Sequence, residues 1–245
     1  MRNDSGLNEI VVKTYDDAIK PAINGAKFCI NFLISKVKPY MYEKIKESNY
    51  RIREIDRKLS KKYNKIPDEN KTEPRISILG PAIETLKYNL DEEHIRELFV
   101  NILINEMDNR KQSKVLPAYL EIIKQITGED AKTLKALKNK RNMIMLYFDS
   151  TEKETKAYIN LDQILIVEQN TYIHPSKITL ENLERLKILD IEKYATIPQL
   201  QKTCDFLFDL KKGEYKVKDE SVVTKRVAVV NVTDFGKNFI DICCS

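Results

Sequence analysis

The chain has 245 residues, 42% of them apolar and 32% charged, with a net charge of +5, six glycines and no tryptophan. That apolar share is enough for a real core, and the length suits one large domain or two small ones. The charge is too modest to define a nucleic-acid binder, and no run of about 18 uncharged apolar residues exists to span a membrane as a helix.

Few glycines point to a helix-rich protein with few tight turns. The N-terminus, MRNDSGLNEI, is polar and has no apolar signal region. Cys29, Cys204 and the adjacent Cys243 and Cys244 show neither CxxC spacing nor a Cys/His cluster. They read as reduced thiols of a cytoplasmic protein.

From Asn8 to Lys65 the pattern is long helix, with breaks near Pro21 and Pro39. Within Ala22–Val37, the residues Ile23, Ala26, Ile30, Leu33, Ile34 and Val37 share one face, while Lys27, Asn31 and Lys38 fall elsewhere. Such a face packs on neighbouring helices, with a membrane surface as the alternative. From Ile45 onward, Ile52, Ile55 and Leu59 form a thin seam, fit for a helical hairpin arm or a short coiled coil.

The same helix carries the most concentrated charge in the chain: Lys44, Lys46, Arg51, Arg53, Arg57, Lys58, Lys61, Lys62 and Lys65. Only Glu47, Glu54 and Asp56 oppose them, and Tyr50 and Tyr63 are interleaved. The plain reading is a solvated face. The functional reading is a polyanion site, for a phosphate backbone or an anionic membrane surface. Ile66–Pro74 is a polar, proline-bearing connector and a hinge candidate.

Three helical patterns then follow in Glu73–Leu137. Pro81 is expected in a first helical turn, where its missing N–H costs nothing, followed by Ile83, Leu86 and Leu90. Asp91 is expected to open the next helix, with Glu92 and Glu93 in its first turn. There Ile95, Leu98, Phe99, Ile102 and Leu103 make one apolar stripe, leaving Glu92, Arg96, Glu97 and Asn101 off it. Pro117 starts a third helix, with Leu116, Tyr119, Leu120, Ile123 and Ile126 on one side. Thr127 and Asp130 have the spacing of a capping box for a fourth.

Beyond Lys140 the period changes. Asn142–Ser150 and Ala157–Glu168 are rich in strand formers. Thr179 is expected to cap a helix with Leu180, Leu183 and Leu186 inward. LDIEKY and Val222–Val232 read as strands, and Thr233 or Asp234 caps a last helix, with Phe235 and Phe239 four apart. Helices Pro117–Ile126, Glu129–Leu137 and Leu180–Ile188, then strands Ile188–Tyr194 and Lys225–Val232, have the order of a winged helix with a long insertion before its third helix. That third helix offers Glu181, Asn182, Glu184, Arg185 and Lys187. Two carboxylates would face phosphates, which argues for packing or protein contact over base reading.

The two histidines, His94 and His174, have no Cys or carboxylate at ligand spacing, so no metal site is expected. No GxSxG, Walker loop, HExxH or paired catalytic motif occurs. The expectation is no catalytic residue, no cofactor and no enzyme.

An ordered set of segments resembles the abortive-infection alpha (Abi-alpha) family of bacterial proteins. The matching pieces are YDDAIKPA (Tyr15–Ala22), YEKIKE (Tyr42–Glu47), IPDEN (Ile66–Asn70), GPAIETLKY (Gly80–Tyr88) and HIRELFVNILINEMD (His94–Asp108). LPAYLEIIKQIT (Leu116–Thr127), GEDAKTLKAL (Gly128–Leu137) and TDFGKNFIDIC (Thr233–Cys243) complete the set. Ser150–Ile178 and Tyr194–Val222 match poorly. Over Lys27–Lys38 the family is often more apolar, whereas this chain has lysines, which weighs against a membrane role. The resemblance implies phage resistance and supplies no catalytic residues.

The expected protein is therefore mainly α with an α+β C-terminal part. It has a long-helix N-terminal arm (1–68), a helical block (69–140) and a winged-helix-like region (141–245). The expected function is a non-enzymatic, cytoplasmic phage-defence component acting through protein contacts, with a phage-derived partner or self-association. The alternatives are a nucleic-acid-binding regulator and, behind it, a peripheral membrane effector.

Overall fold

The computed structural model describes residues 25–37, 45–140, 142–153, 158–168, 171–193, 198–215 and 221–244. The start of the helix expected from Asn8, and the breaks near Pro21 and Pro39, lie outside the described residues. The chain divides into two compact units, Met1–Lys124 and Gln125–Ser245. Among the described residues the first is helical, and the second carries an antiparallel sheet with helices. The described residues are mainly helical, and the strands among them come after Lys140, as the change of period requires.

The first unit contains α1 (Gly25–Val37), α2 (Ile45–Tyr63), α3 (Ile76–Leu86), α4 (Glu93–Glu106) and α5 (Pro117–Ile123). Helix α1 packs on α2 and α3 and buries Ala26, Cys29, Ile30 and Leu33, while Ile34 stays partly exposed. The seam of α2 is spent inside the unit: Ile52, Ile55, Leu59 and Tyr63 are buried, and the helix packs on α1 and α4.

Helix α4 is enclosed round its whole circumference. From Ile95 to Met107 every residue but Glu97 is buried. Arg96 and Asn101, expected off the apolar stripe, are therefore core residues, and each is partnered. Arg96 meets Glu54 at 3.1 Å and donates to the Leu90 carbonyl. Asn101 accepts from Lys62. Glu106, wholly buried, is held by Arg75 through Nε at 2.6 Å, Nη2 at 2.9 Å and the backbone N–H at 2.9 Å.

Bonds to distant partners account for two departures from the sequence reading. Arg75, with its N–H on Glu106, is the N-cap of α3, so the helix begins at Ile76 and Pro81 sits inside it rather than in its first turn. The extra turn buries Ile78 and Leu79, which offsets the hydrogen bond that proline cannot make. Helix α4 starts at Glu93 with Glu92 as N-cap, because the Asp91 carboxylate is drawn to Arg51 at 3.0 Å. In α5, Pro117 holds the first position as expected, but Leu116 is 37% exposed rather than inward.

The second unit opens with α6 (Gly128–Ala136), whose Thr127–Asp130 capping box forms in both directions at 3.2 and 2.8 Å. Next come β1 (Asn142–Glu152), β2 (Tyr158–Glu168), β3 (Thr171–Ile173), α7 (Lys177–Arg185), β4 (Leu189–Lys193), α8 (Pro198–Lys211), β5 (Ser221–Val232) and α9 (Asp234–Cys243). The strand order is β3-β2-β1-β5-β4, antiparallel throughout. On one face Ile144, Leu146, Phe148, Ile164 and Ile166 pack against Cys204 and Leu207 of α8. On the other, Met143, Met145, Leu165, Ala228 and Val230 are also buried. Buried on both faces, β1 reads as a continuous apolar run.

Helix α7 is capped by Ser176, whose Oγ accepts from the Thr179 N–H at 3.1 Å. Thr179, expected as the cap, is buried one turn inside. The pair β4–β5 forms as expected, but at the edge of a five-stranded sheet. The stretch between α6 and α7 supplies the other three strands, and Pro117–Ile123 falls in the first unit. Helix α8 was not foreseen.

Phe99 is fully buried, so Phe99→Ala should cost about 3–5 kcal/mol in denaturant unfolding; a cost under about 1 kcal/mol contradicts the enclosure of α4. Gly236 is a second sensitive point. A Cβ there would meet the Ile188 carbonyl oxygen at 2.2 Å, and that carbonyl is already fixed by the Thr233 N–H at 3.1 Å. Gly236→Ala should lower stability by about 1–3 kcal/mol through backbone displacement, and an unchanged melting temperature contradicts the close approach.

Candidate functional site

The basic strip of α2 is not one surface. Its cations divide into two rows, and only one is open to a partner. Arg51 pairs with Asp91 at 3.0 Å and reaches the Leu90 and Asp91 carbonyls at 3.5 Å. Lys58 meets Glu54 at 2.8 Å and Glu93 at 3.9 Å. Lys62 is spent on Asn101. The Lys58 hydrogen bond, with the Lys58 and Arg96 charges behind it, holds Glu54 below the usual carboxylate range against the opposing effect of burial. These three cations serve the α2–α4 contact.

Arg53, Arg57, Lys61 and Lys65 form the other row, at every fourth residue. All four are exposed, and none has an acidic partner among the described residues. The first three stand on α2, one turn apart, at about 6 Å per step. Lys65 follows just past the helix end. Tyr50, 72% exposed, stands about one turn before Arg53 on the same helix. Lys44 and the side chain of Lys46 lie outside the described residues.

The spacing that separates these rows was present in the sequence, since residues four apart share a helix face. The partners of the inward row were not, because Asp91, Glu93 and Asn101 come from distant positions.

A second polar arrangement was missed. In the sheet, Tyr147 stands opposite Gln163 on β2 and Arg226 on β5. Asp149, 1% exposed, takes the Arg226 guanidinium through Nε at 2.6 Å and Nη2 at 3.1 Å. That guanidinium lies 5.1 Å from the Tyr147 ring centroid. A bulge after Phe148 brings Asn160 opposite Asp149, where its amide donates at 3.3 Å. The available signal was two charges in strand-forming segments; their juxtaposition needed the strand order.

The residue range 47–243 matches the model of the family described as abortive infection alpha. The chain belongs to the abortive infection alpha family. The match covers both compact units and most of the chain, and it ties the protein to abortive infection, the defence of bacteria against phage. No curated protein and no solved structure matches the chain.

Among the described residues of this family member, no helix is long and apolar enough to cross a membrane. The apolar face of α1, from Ala26 to Leu33, is occupied by helix packing. His94 and His174 belong to no cluster of possible metal ligands among the described residues.

All four cysteines are buried, and none is in a disulfide. Burial pushes the Cys29 thiol up to about 12 and the Cys204 thiol up to about 11, and it raises Cys243 well above the ordinary value. A raised thiol pKa leaves almost no thiolate near neutral pH, and reactivity returns only as pH climbs toward the shifted value. A thiol reagent at neutral pH should therefore label the native protein slowly and the denatured protein at four positions. Fast labelling of Cys29 in the native state contradicts the burial of α1.

Proposed function

We propose that this family member is a cytoplasmic phage-defence component that works by binding and not by catalysis. Its contact surface is the outward row of α2, and its partner there is a nucleic-acid phosphate backbone. The observation that carries this reading is the division of the cations. Three of them satisfy the fold, while Arg53, Arg57, Lys61 and Lys65 stay exposed in register, with no acid among the described residues paired to them. A single-sign ridge attracts polyanions through its summed field, and phosphate contacts of this kind are blind to base sequence.

A second reading has its own support. Phe206 and Leu210 are one turn apart on α8 and are 64% and 60% exposed. Adjoining exposed apolar side chains offer a partner protein surface to bury. In that reading the defence role runs through a protein partner, phage-derived or another copy of the chain. The winged-helix-like grouping of α6, α7 and the β4–β5 pair then serves as a protein-contact element, since Glu181 and Glu184 repel phosphate.

Two measurements test the proposal. Mixed-sequence DNA and RNA should bind the wild-type chain with little sequence preference. Four phosphate contacts imply a loss on the order of a hundredfold in affinity between about 50 and 200 mM salt. Reversal of Arg53, Arg57, Lys61 and Lys65 to Glu should abolish binding while the melting temperature holds, because none of the four supports α4. In a bacterial host challenged with a phage panel, the same variant should lose protection, scored by cell survival and plaque counts together. Wild-type chain that binds no nucleic acid at the lower salt sinks the phosphate reading. Protection lost instead on changing Phe206 and Leu210 to Ser moves the function to the protein-contact reading.

A further inference from the structure

Helix α7 and the second face of the sheet enclose a cavity of about 390 Å³. Its volume lies in the range of small-molecule sites, about 300–1,000 Å³. The cavity belongs wholly to the second unit, so it is independent of the ridge on α2.

The wall is a polar edge beside the apolar stripe of α7, whose Leu180 and Leu183 are buried and whose Leu180 also lines the cavity. Lys177, Glu181 and Glu184 line the cavity, at positions that share one helix face. A helix laid on a sheet normally turns an apolar stripe to it. Here charged side chains of α7 confront a polar floor of Tyr147, Asn160 and Arg226. Lys177 and Glu181 stand at the open rim, with side chains 70% and 62% exposed, while Glu184 is half-buried against the floor.

The floor is pre-arranged. Asp149 fixes the Arg226 guanidinium through two hydrogen bonds, and the bulge after Phe148 places Asn160 to hold Asp149. Bulges of this kind re-aim side chains beside functional sites. Arg226 in turn lies against the Tyr147 ring, 5.1 Å from its centroid.

The charges then decide the ligand. Asp149 neutralises Arg226, and Lys177 stands 3.7 Å from Glu181. Glu184 has no ion pair or side-chain hydrogen bond among the described residues, and the Tyr147 hydroxyl has no hydrogen bond there. The cavity is left with one unpaired carboxylate beside a free phenol. We propose that it binds a small organic cation, an amine or a guanidinium, with the charged head on Glu184 and Tyr147 contacting it from the floor. A guanidinium offers a carboxylate two parallel N–H bonds, the strongest pairing open to Glu184.

The test uses the full chain and agmatine as probe, which carries both head groups, with titration calorimetry at low salt. A short capped peptide with one arginine forms a second arm, and it distinguishes a free amine from a side chain of a partner. Saturable binding of either probe, weakened about tenfold or more by Glu184→Gln and several-fold by Tyr147→Phe, supports the proposal. Neither change touches a buried ion pair, so both variants should melt like the wild type. The chain has many surface carboxylates, and Glu184→Gln separates the cavity from them. Equal affinity in wild type and Glu184→Gln overturns the proposal. So does absence of binding by both probes, or saturable binding of inorganic phosphate at this cavity in place of the cations.

Discussion

The first unit depends on the complete enclosure of α4. A helix buried round its whole circumference cannot leave its polar side chains to water, so each must be met by a partner from another element. Arg96 is met by Glu54, Asn101 by Lys62 and Glu106 by Arg75. These three contacts fix where α2 lies, where α3 begins and how the Ile66–Pro74 connector runs. Arg75 also donates to the Gln112 and Val115 carbonyls at 3.0 and 2.8 Å, which ties the segment before α5 to the same point. The connector that reads as a hinge is thus fastened at its end. Thr72 donates to the Met107 carbonyl, and Asn109 to that of Asn70.

The same constraint shapes the electrostatics. Helix α2 must supply both apolar seam and polar partners to α4, so part of its charge is consumed by the fold. Lys58 and Arg51 gain acidic neighbours from the start of α4, where carboxylates also suit the helix dipole. What remains is the row that the core does not use. A surface with no structural duty, one sign of charge and regular spacing is where a binding role costs the fold least.

In the second unit the sheet solves a different problem. Its central strand, β1, is covered on both faces over Met143–Leu146, yet carries Tyr147 and Asp149 a few residues on. The buried acid is tolerable because Arg226 is its neighbour on β5, bonded in fork geometry. The sheet therefore passes from an apolar core to a polar floor along one strand. The two units differ in the charge they leave unpaired among the described residues: a cationic row on α2 in the first, and the Glu184 carboxylate on α7 in the second.

The sequence by itself determined much of this. Apolar periodicity placed the helices of the first unit and the strands after Lys140, because burial of one face leaves a 3.6- or 2-residue signature. The capping box at Thr127 and the cap at Thr233 were legible, since they are local exchanges within three residues. The ordered segments placed the chain in its family. Only the tertiary structure decided the rest. Periodicity cannot show that α4 is buried on every side, because Arg96 and Asn101 look like a solvent face until Glu54 and Lys62 arrive from about forty residues away. It could not start α3 at Ile76, because the capping acceptor is Glu106. Nor could it divide the basic strip into structural and free rows, or set Tyr147, Asp149 and Arg226 side by side. Those depend on which distant segments meet, and side-chain chemistry along one segment carries no record of that.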